Sequence, residues 1–199
     1  MIIPSKLPGV EVGEKIDKLG LRTSDTAPVY FDNVRIPMRY RIGEEGAGFS
    51  MQMQQFQEER IFLAASALVI LDDCIEQTIS FCKERKAFGK RVLDNQAIQF
   101  RLAELQIEIE SLRSLIYRAC EEFVSGKDMT YLASMAKFKC GKLIREVSDS
   151  CLQYWGGMGF TWENPLSKVY RDGRLMSIGG GTDEIMLSII CKHLGMAKK

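Results

Sequence analysis

FSMQMQQFQEERIFLAASALVILDDCIEQTISFCKERKAF, residues 49–88, holds neither glycine nor proline, and so long an uninterrupted run predicts one very long helix. It is entered from Gly43-Glu44-Glu45-Gly46-Ala47-Gly48, a loop whose acids suit the positive end of a helix dipole, and Gly89 closes it. Phe49, Met53, Phe56, Leu63, Ala67, Ile70, Cys74 and Ile79 recur at three- and four-residue spacing, the pattern of one buried stripe. A second stripe runs through Ile98, Leu102, Leu105, Ile109, Leu112, Ile116, Ala119 and Phe123, between Asp94-Asn95 and Gly126. A third uses Leu132, Ala136, Cys140, Leu143, Val147, Cys151 and Tyr154. With a shorter helix after Pro165 and a last one after Gly181, the expected fold is mainly α, an antiparallel helical bundle over residues 43–199.

Residues 1–42 have another texture. They hold most of the prolines and the short β-formers Val29-Tyr30-Phe31 and Val34-Arg35-Ile36 around Asp32-Asn33, which predict a hairpin or two strands. Such a scrap of sheet cannot bury a face alone, so it is expected to be the remnant of a larger sheet or to pack on the helices.

The chain has 199 residues, 46% hydrophobic and 27% charged, with a net charge of +1. That is a globular composition without the basic footprint that nucleic acid requires. Its apolar runs are broken too often for an integral membrane segment, and the first residues lack a signal-peptide layout. Six cysteines without a C-x-x-C pair are expected to be reduced and packed, which suggests an intracellular compartment. His193 is the one histidine, so zinc sites and Ser-His-Asp catalysis lack ligands and partners; at a helix C-terminus it would serve as a mildly favoured cation. Any catalysis is left to carboxylates and a cofactor.

Four places are candidates for chemistry. Gly179-Gly180-Gly181 before Thr182-Asp183-Glu184 is either backbone left bare for an anionic ligand at a helix start or a plain loop. On the first long helix, Glu59 falls three after Phe56 and four before Leu63, so its carboxylate is expected to face apolar surroundings and act as a base, or to sit in an interhelical ion pair; Glu58 is displaced by about 100°. Lys83-Glu84-Arg85-Lys86-Ala87-Phe88-Gly89-Lys90 would hold a phosphate or form a solvated corner. Gln153-Tyr154-Trp155-Gly156-Gly157-Met158-Gly159-Phe160 ends a helix in Gly-Gly beside large aromatics, a C-cap or a ligand wall.

Taken in order, Arg85 to Lys90 with Gln96, Gln153 to Gly159, and Gly180 to Ile185 resemble the C-terminal part of acyl-CoA dehydrogenases. The start fits as well, since Lys18 to Thr26 and Val29 to Pro37 are similar to that family's last β-domain strands. The resemblance implies FAD-dependent formation of an α,β double bond in an acyl-CoA thioester, with a carboxylate taking the α proton and the β hydrogen leaving as hydride. It implies that Arg85, Phe88 and Gln96 reach the FAD of a neighbouring subunit, Arg85 toward the pyrophosphate. Gln153, Tyr154, Trp155, Gly156 and Gly157 would line the same cofactor, and Thr182, Asp183 and Glu184 would touch FAD from their own subunit. Gly180 and Gly181 would flank the thioester, with Gln57 and Arg60 as further substrate contacts. A homodimer or homotetramer is implied, with electron-transfer flavoprotein as acceptor and the mitochondrial matrix or bacterial cytoplasm as location.

Many members of that family have Glu-Gly-Thr where this chain has Gly180-Gly181-Thr182. In the long-chain and isovaleryl types the glutamate comes instead from the first long helix, immediately before an arginine, and Glu59-Arg60 matches them. Glu59 is therefore the expected base, with Asp183 and Glu184 the weaker candidates. The family's N-terminal helical domain and fuller β-domain have no counterpart here, so residues 1–42 would be the tail of the β-domain. The chain alone is expected to bind FAD weakly and turn over poorly. The competing readings are a non-catalytic short isoform or oligomerisation module, and an acyl-CoA oxidase-like flavoprotein.

Overall fold

A computed structural model describes residues 1–196. It divides into two compact units, Met1–Gln55 and a second that begins at Phe56.

In the first unit, β1 (Val10–Val12) pairs antiparallel with β2 (Val29–Phe31), Val10 opposite Phe31 and Val12 opposite Val29. Gly9 is held at φ +87, and its carbonyl accepts from the Asp32 N–H at 2.8 Å; a Cβ there would lie 2.1 Å from the Asp32 oxygen. Every β2 residue is exposed, as expected of a sheet too small to cover a face. Val34-Arg35-Ile36 is not a strand. The tight two-residue hairpin turns need a left-handed φ at the first central position, and Asp32 does not have it; Asn33 alone of the two does, at φ +48. The chain pairs across a long loop instead.

Helix α1 is Gly48–Glu84, 37 residues, or about 55 Å. In the second unit a two-by-two-residue hairpin follows, β3 (Lys86–Ala87) against β4 (Lys90–Arg91). Then come α2 (Gln96–Val124), α3 (Thr130–Trp155), α4 (Pro165–Gly173) and α5 (Asp183–His193). Asn164 starts α4 by accepting from the Leu166 N–H at 2.8 Å, with Pro165 at the first helical position. His193 closes α5, as its position suggested, and stacks on Tyr131 at 4.0 Å.

Helix α3 is the hub against which α2, α4 and α5 pack. Arg101 meets Ser150 while Glu108 meets Lys139, so α2 and α3 run antiparallel. Arg60 and Lys137 meet the same loop at one end and Thr78 bonds Trp155 at the other, so α1 and α3 run in the same direction. The stripes of α2 and α3 are where periodicity puts them: Leu102, Leu105, Ile109, Leu112, Ile116 and Ala119 are buried, as are Leu132, Ala136, Cys140, Leu143, Val147 and Cys151. Phe123 alone of these stripes is exposed, in the last turn of α2.

The stripe of α1 is rotated from its expected position. Arg60, Ile61, Ala64, Ala67, Leu68, Leu71, Cys74, Ile75, Thr78 and Cys82 are buried, whereas Phe49 is exposed and Leu63 and Ile70 are only half covered. Large apolar residues, Phe62 and Val69, interrupt the polar side that Glu58, Glu59, Ser66, Asp73 and Glu76 would define, so spacing alone admits several stripes. The small residues Ala64 and Ala67 mark the one that lies closest to the neighbouring helices. All six cysteines are free thiols, and Cys74, Cys82, Cys140 and Cys151 are buried.

Candidate functional site

The segment from Arg174 to Asp183 closes a one-turn helix and opens α5. Ile178 and Gly179 N–H groups both donate to the Leu175 carbonyl at 2.8 Å, and the chain then reverses through Gly180 (φ +67) and Gly181 (φ +105). Those angles favour glycine on conformational grounds. Space adds to the case, since a Cβ on Gly181 would lie 2.8 Å from Met186 Cε. Thr182 caps α5 by accepting from the Ile185 N–H at 3.4 Å.

Two buried cations hold this turn. Arg60 Nε of α1 donates to the Gly180 carbonyl oxygen at 3.0 Å, and Lys137 Nζ of α3 donates to the Gly181 carbonyl oxygen. Lys137 is 2% exposed, and Asp183 Oδ1 stands 4.0 Å from its nitrogen. Asp183 Oδ2 is taken by Arg145 Nη2 at 3.1 Å, while its Oδ1 is buried without a hydrogen-bond partner among the described residues. Burial pushes the Lys137 ammonium below its ordinary pKa, with Asp183 opposing, and lowers that of Arg60 against the pull of Glu59. The carboxyl of Glu184 is held low by its own backbone N–H and the Thr182 hydroxyl.

Glu59 does not face the apolar interior; both it and Glu58 are exposed, and the neighbouring Arg60 is the residue turned inward. The rotation of the α1 stripe explains this, because it moves the buried face one residue past the expected one. Leu63, one turn after Glu59 on the same helix face, has its Cδ1 3.3 Å from where a Gly180 Cβ would stand. The open side of Gly180 thus looks toward the α1 face that carries Glu59. Gln57 is half-buried beside Asp128 at the foot of α3 and, among the described residues, does not bond the turn.

The other candidates gather at the far end of α1. Trp155 stacks on Phe81 at 4.1 Å and donates from Nε1 to Thr78 Oγ1 at 3.3 Å, and Gly156 (φ +57) ends α3 beside them. Arg85, one turn past Phe81, leads into the β3–β4 hairpin, whose closing bond runs from the Val92 N–H to the Arg85 carbonyl at 2.8 Å. At its tip Phe88 (φ +51) and Gly89 (φ +81) form a turn left-handed at both positions, and the Phe88 ring is fully exposed. Arg85, Gln96, Gln153 and Gly157 are also exposed, and Tyr154 is half-buried. Arg60 and Phe81 stand roughly 30 Å apart along α1, so the two groups of residues lie at opposite ends of the bundle.

Sequence reading missed Lys137 and Arg145. The signal for Lys137 was present: a lysine four after Ala133 and three before Cys140, inside an apolar stripe. Among the described residues no group of His, Cys, Asp and Glu fits a metal ion, and no helix is long and apolar enough to cross a membrane.

The profile of the acyl-CoA dehydrogenase C-terminal domain matches residues 46–195. A bovine (Bos taurus) mitochondrial short/branched chain specific acyl-CoA dehydrogenase is 37% identical over 92% of this chain and 43% of its own length. The mouse (Mus musculus) mitochondrial long-chain specific enzyme is 35% identical over 97% of this chain and 45% of its own. Among solved structures, acyl-CoA dehydrogenase from Geobacillus kaustophilus superposes with a TM-score of 0.93 at 36% identity, covering 96% of this chain and 50% of that one. PigA, solved with FAD and proline, superposes with a TM-score of 0.94 at 28% identity over 98% and 51%. The chain belongs to the acyl-CoA dehydrogenase family, whose C-terminal domain it contains. It spans less than half the length of these curated relatives.

Proposed function

We propose that this chain supplies the C-terminal half of an FAD-dependent acyl-CoA dehydrogenase, with residues 1–42 as the tail of its β-domain and Glu59 as the base that takes the α proton. The observation that carries this reading is the facing of Gly180 and α1. Leu63 reaches the open side of Gly180, and Glu59 lies one turn before Leu63, so a carboxylate projecting from either backbone serves the same space. This chain has glycine at the one position and glutamate at the other.

The bare backbone of Gly180 and Gly181 lets a thioester approach closely. FAD, when bound, accepts the hydride from the β carbon. The residues present fit that cofactor. A fully exposed Phe88 offers a flat apolar face, Arg85 and Lys86 offer charge for a pyrophosphate, and α5 presents its N-terminal end behind Thr182. Asp183 packs against Gly141, and Trp155, which stacks on Phe81 one turn before Arg85, lies roughly 20 Å further along α3. The two groups therefore serve two cofactors, each shared with another copy in a homodimer or homotetramer. Fatty or branched acyl-CoA is the substrate class, in β-oxidation or its branched-chain counterpart, with electron-transfer flavoprotein as acceptor. The location is the mitochondrial matrix in a eukaryote and the cytoplasm in a bacterium.

Titrating the purified protein with FAD and then adding acyl-CoA without oxygen tests this. Bleaching of the flavin in the parent protein and its loss in Glu59→Gln support the assignment; bleaching that survives Glu59→Gln but not Glu58→Gln refutes it. Weak flavin retention by these 199 residues alone is the expected result.

A further inference from the structure

Thr78 is fully buried on the face of α1 that it shares with Cys74 and Cys82, a seam otherwise lined by apolar and thiol side chains. A hydroxyl in such a seam costs free energy unless it is bonded, and a valine would fill the space without one. Thr78 is bonded on both counts. It accepts from Trp155 Nε1 at 3.3 Å and donates in turn to the Cys151 thiol.

Trp155 ends α3, and its ring lies flat on Phe81, with 4.1 Å between centroids and a tilt of 8° between planes. Stacking alone leaves two rings free to slide and turn in their planes, because the attraction has little in-plane direction. A hydrogen bond from the ring edge removes that freedom, since it weakens steeply off line. The backbone beyond folds back on the same turn of helix: a Cβ on Gly159 would stand 3.1 Å from Trp155 Cβ and 2.6 Å from the Leu152 carbonyl oxygen. The ring itself is only half-buried. Arg85, one turn past Phe81, and Gly156-Gly157, directly after Trp155, are thus tied to each other through a single indole.

We propose that Thr78 is a positioning residue which, through the indole of Trp155, presets the wall that Trp155, Gly156 and Gly157 offer to a flavin cofactor beside Arg85, a role that rests on the cofactor reading above. A wall fixed before the ligand arrives is not ordered at the ligand's expense, so the gain falls on affinity.

Titrating FAD into the FAD-free protein while following the indole N–H resonance of Trp155 by nuclear magnetic resonance tests it, with Trp162→Phe serving to tell the two tryptophans apart. The Trp155 resonance of the parent protein should shift as FAD binds. Thr78→Val should bind FAD at least about five-fold more weakly, the worth of one net hydrogen bond, and Thr78→Ser, which keeps the hydroxyl, should stay within about two-fold of the parent. An affinity unchanged in Thr78→Val, or one that falls as far in Thr78→Ser, overturns the positioning role and leaves the cofactor reading standing. A parent protein whose Trp155 resonance ignores FAD overturns the cofactor reading for this end of the bundle and the inference with it.

Should Thr78→Val not fold, hydrogen exchange in the parent protein decides. Before any FAD is added, the Trp155 indole proton should exchange at least about ten-fold more slowly than that of exposed Trp162. A Trp155 proton that exchanges as fast as that of Trp162 until FAD is present belongs to a wall ordered by its ligand, and overturns the proposal.

Discussion

Gly141 sits on the face of α3 that meets the turn, and a methyl group there would lie 2.8 Å from Ser177 Oγ, 3.0 Å from Asp183 Oδ1 and 3.0 Å from the Met176 carbonyl oxygen. Ser177 Oγ also donates to the Gly141 carbonyl at 2.9 Å, so the new methyl would lever apart a contact that already closes the segment. Gly→Ala inside a helix is worth about 1 kcal/mol in favour of folding. Against this stand about 1–3 kcal/mol for forcing a methylene-sized group into a packed site and about 1 kcal/mol for the strained or lost hydrogen bond. The net expectation for Gly141→Ala is a loss of about 1–3 kcal/mol, which for a chain of this size lowers the melting temperature by roughly 2–10 °C. Urea unfolding followed by far-ultraviolet circular dichroism measures it, with an unchanged m-value. A variant as stable as its parent, or more so, would mean that the 174–183 segment yields freely and is not locked against α3.

Phe88→Gly should raise stability by up to about 1 kcal/mol, since it relieves a left-handed backbone on a side chain with no contacts to lose, and should weaken flavin binding; calorimetric melting and a flavin titration read the two effects, and a fall in stability refutes the first. Asp128 is held below the usual carboxylate range by the Thr130 hydroxyl and N–H, so its contribution is present above about pH 4 and lost as the pH falls through its lowered value. Asp128→Asn should flatten that part of the acid unfolding curve in urea midpoints taken against pH. Burial pushes the Cys74 and Cys140 thiols up to about 12 and Cys151 to about 11, so unfolded thiols ionise first and stability should decline as the pH rises from about 9 toward those values. In thiol labelling at neutral pH, exposed Cys120 should react first and Cys74, Cys82, Cys140 and Cys151 only on unfolding.

The α2 and α3 cores were legible because each helix has one apolar face and one charged face, and a period of three to four residues then has a single solution. Helix α1 was not, because Phe62 and Val69 break its polar side and blur the phase, so that spacing alone turns Glu59 inward. The glycine turn and its Thr182 cap could be read from local chemistry alone. The clamp on that turn could not, since Arg60 and Lys137 come from helices 120 and 44 residues away in the chain and reach backbone oxygens that carry no sequence signature. The partner of β2 was hidden for the same reason: it pairs with Val10–Val12 across a long loop. The β3–β4 hairpin is too short for alternation to register, though Phe88-Gly89 already had the turn.

The distance between the two ends of α1 has a genetic consequence. If every cofactor is gripped by the Gly180 end of one copy and the Arg85 end of another, a copy damaged at Glu59 still lends a sound Arg85 end to its neighbour, and a copy damaged at Arg85 still offers a sound Gly180 end. Coexpressing two such dead alleles in equal amounts would then restore about a quarter of the parental activity, since half of random dimers are mixed and each mixed dimer regains one whole site of two. Two lesions at the same end would never complement.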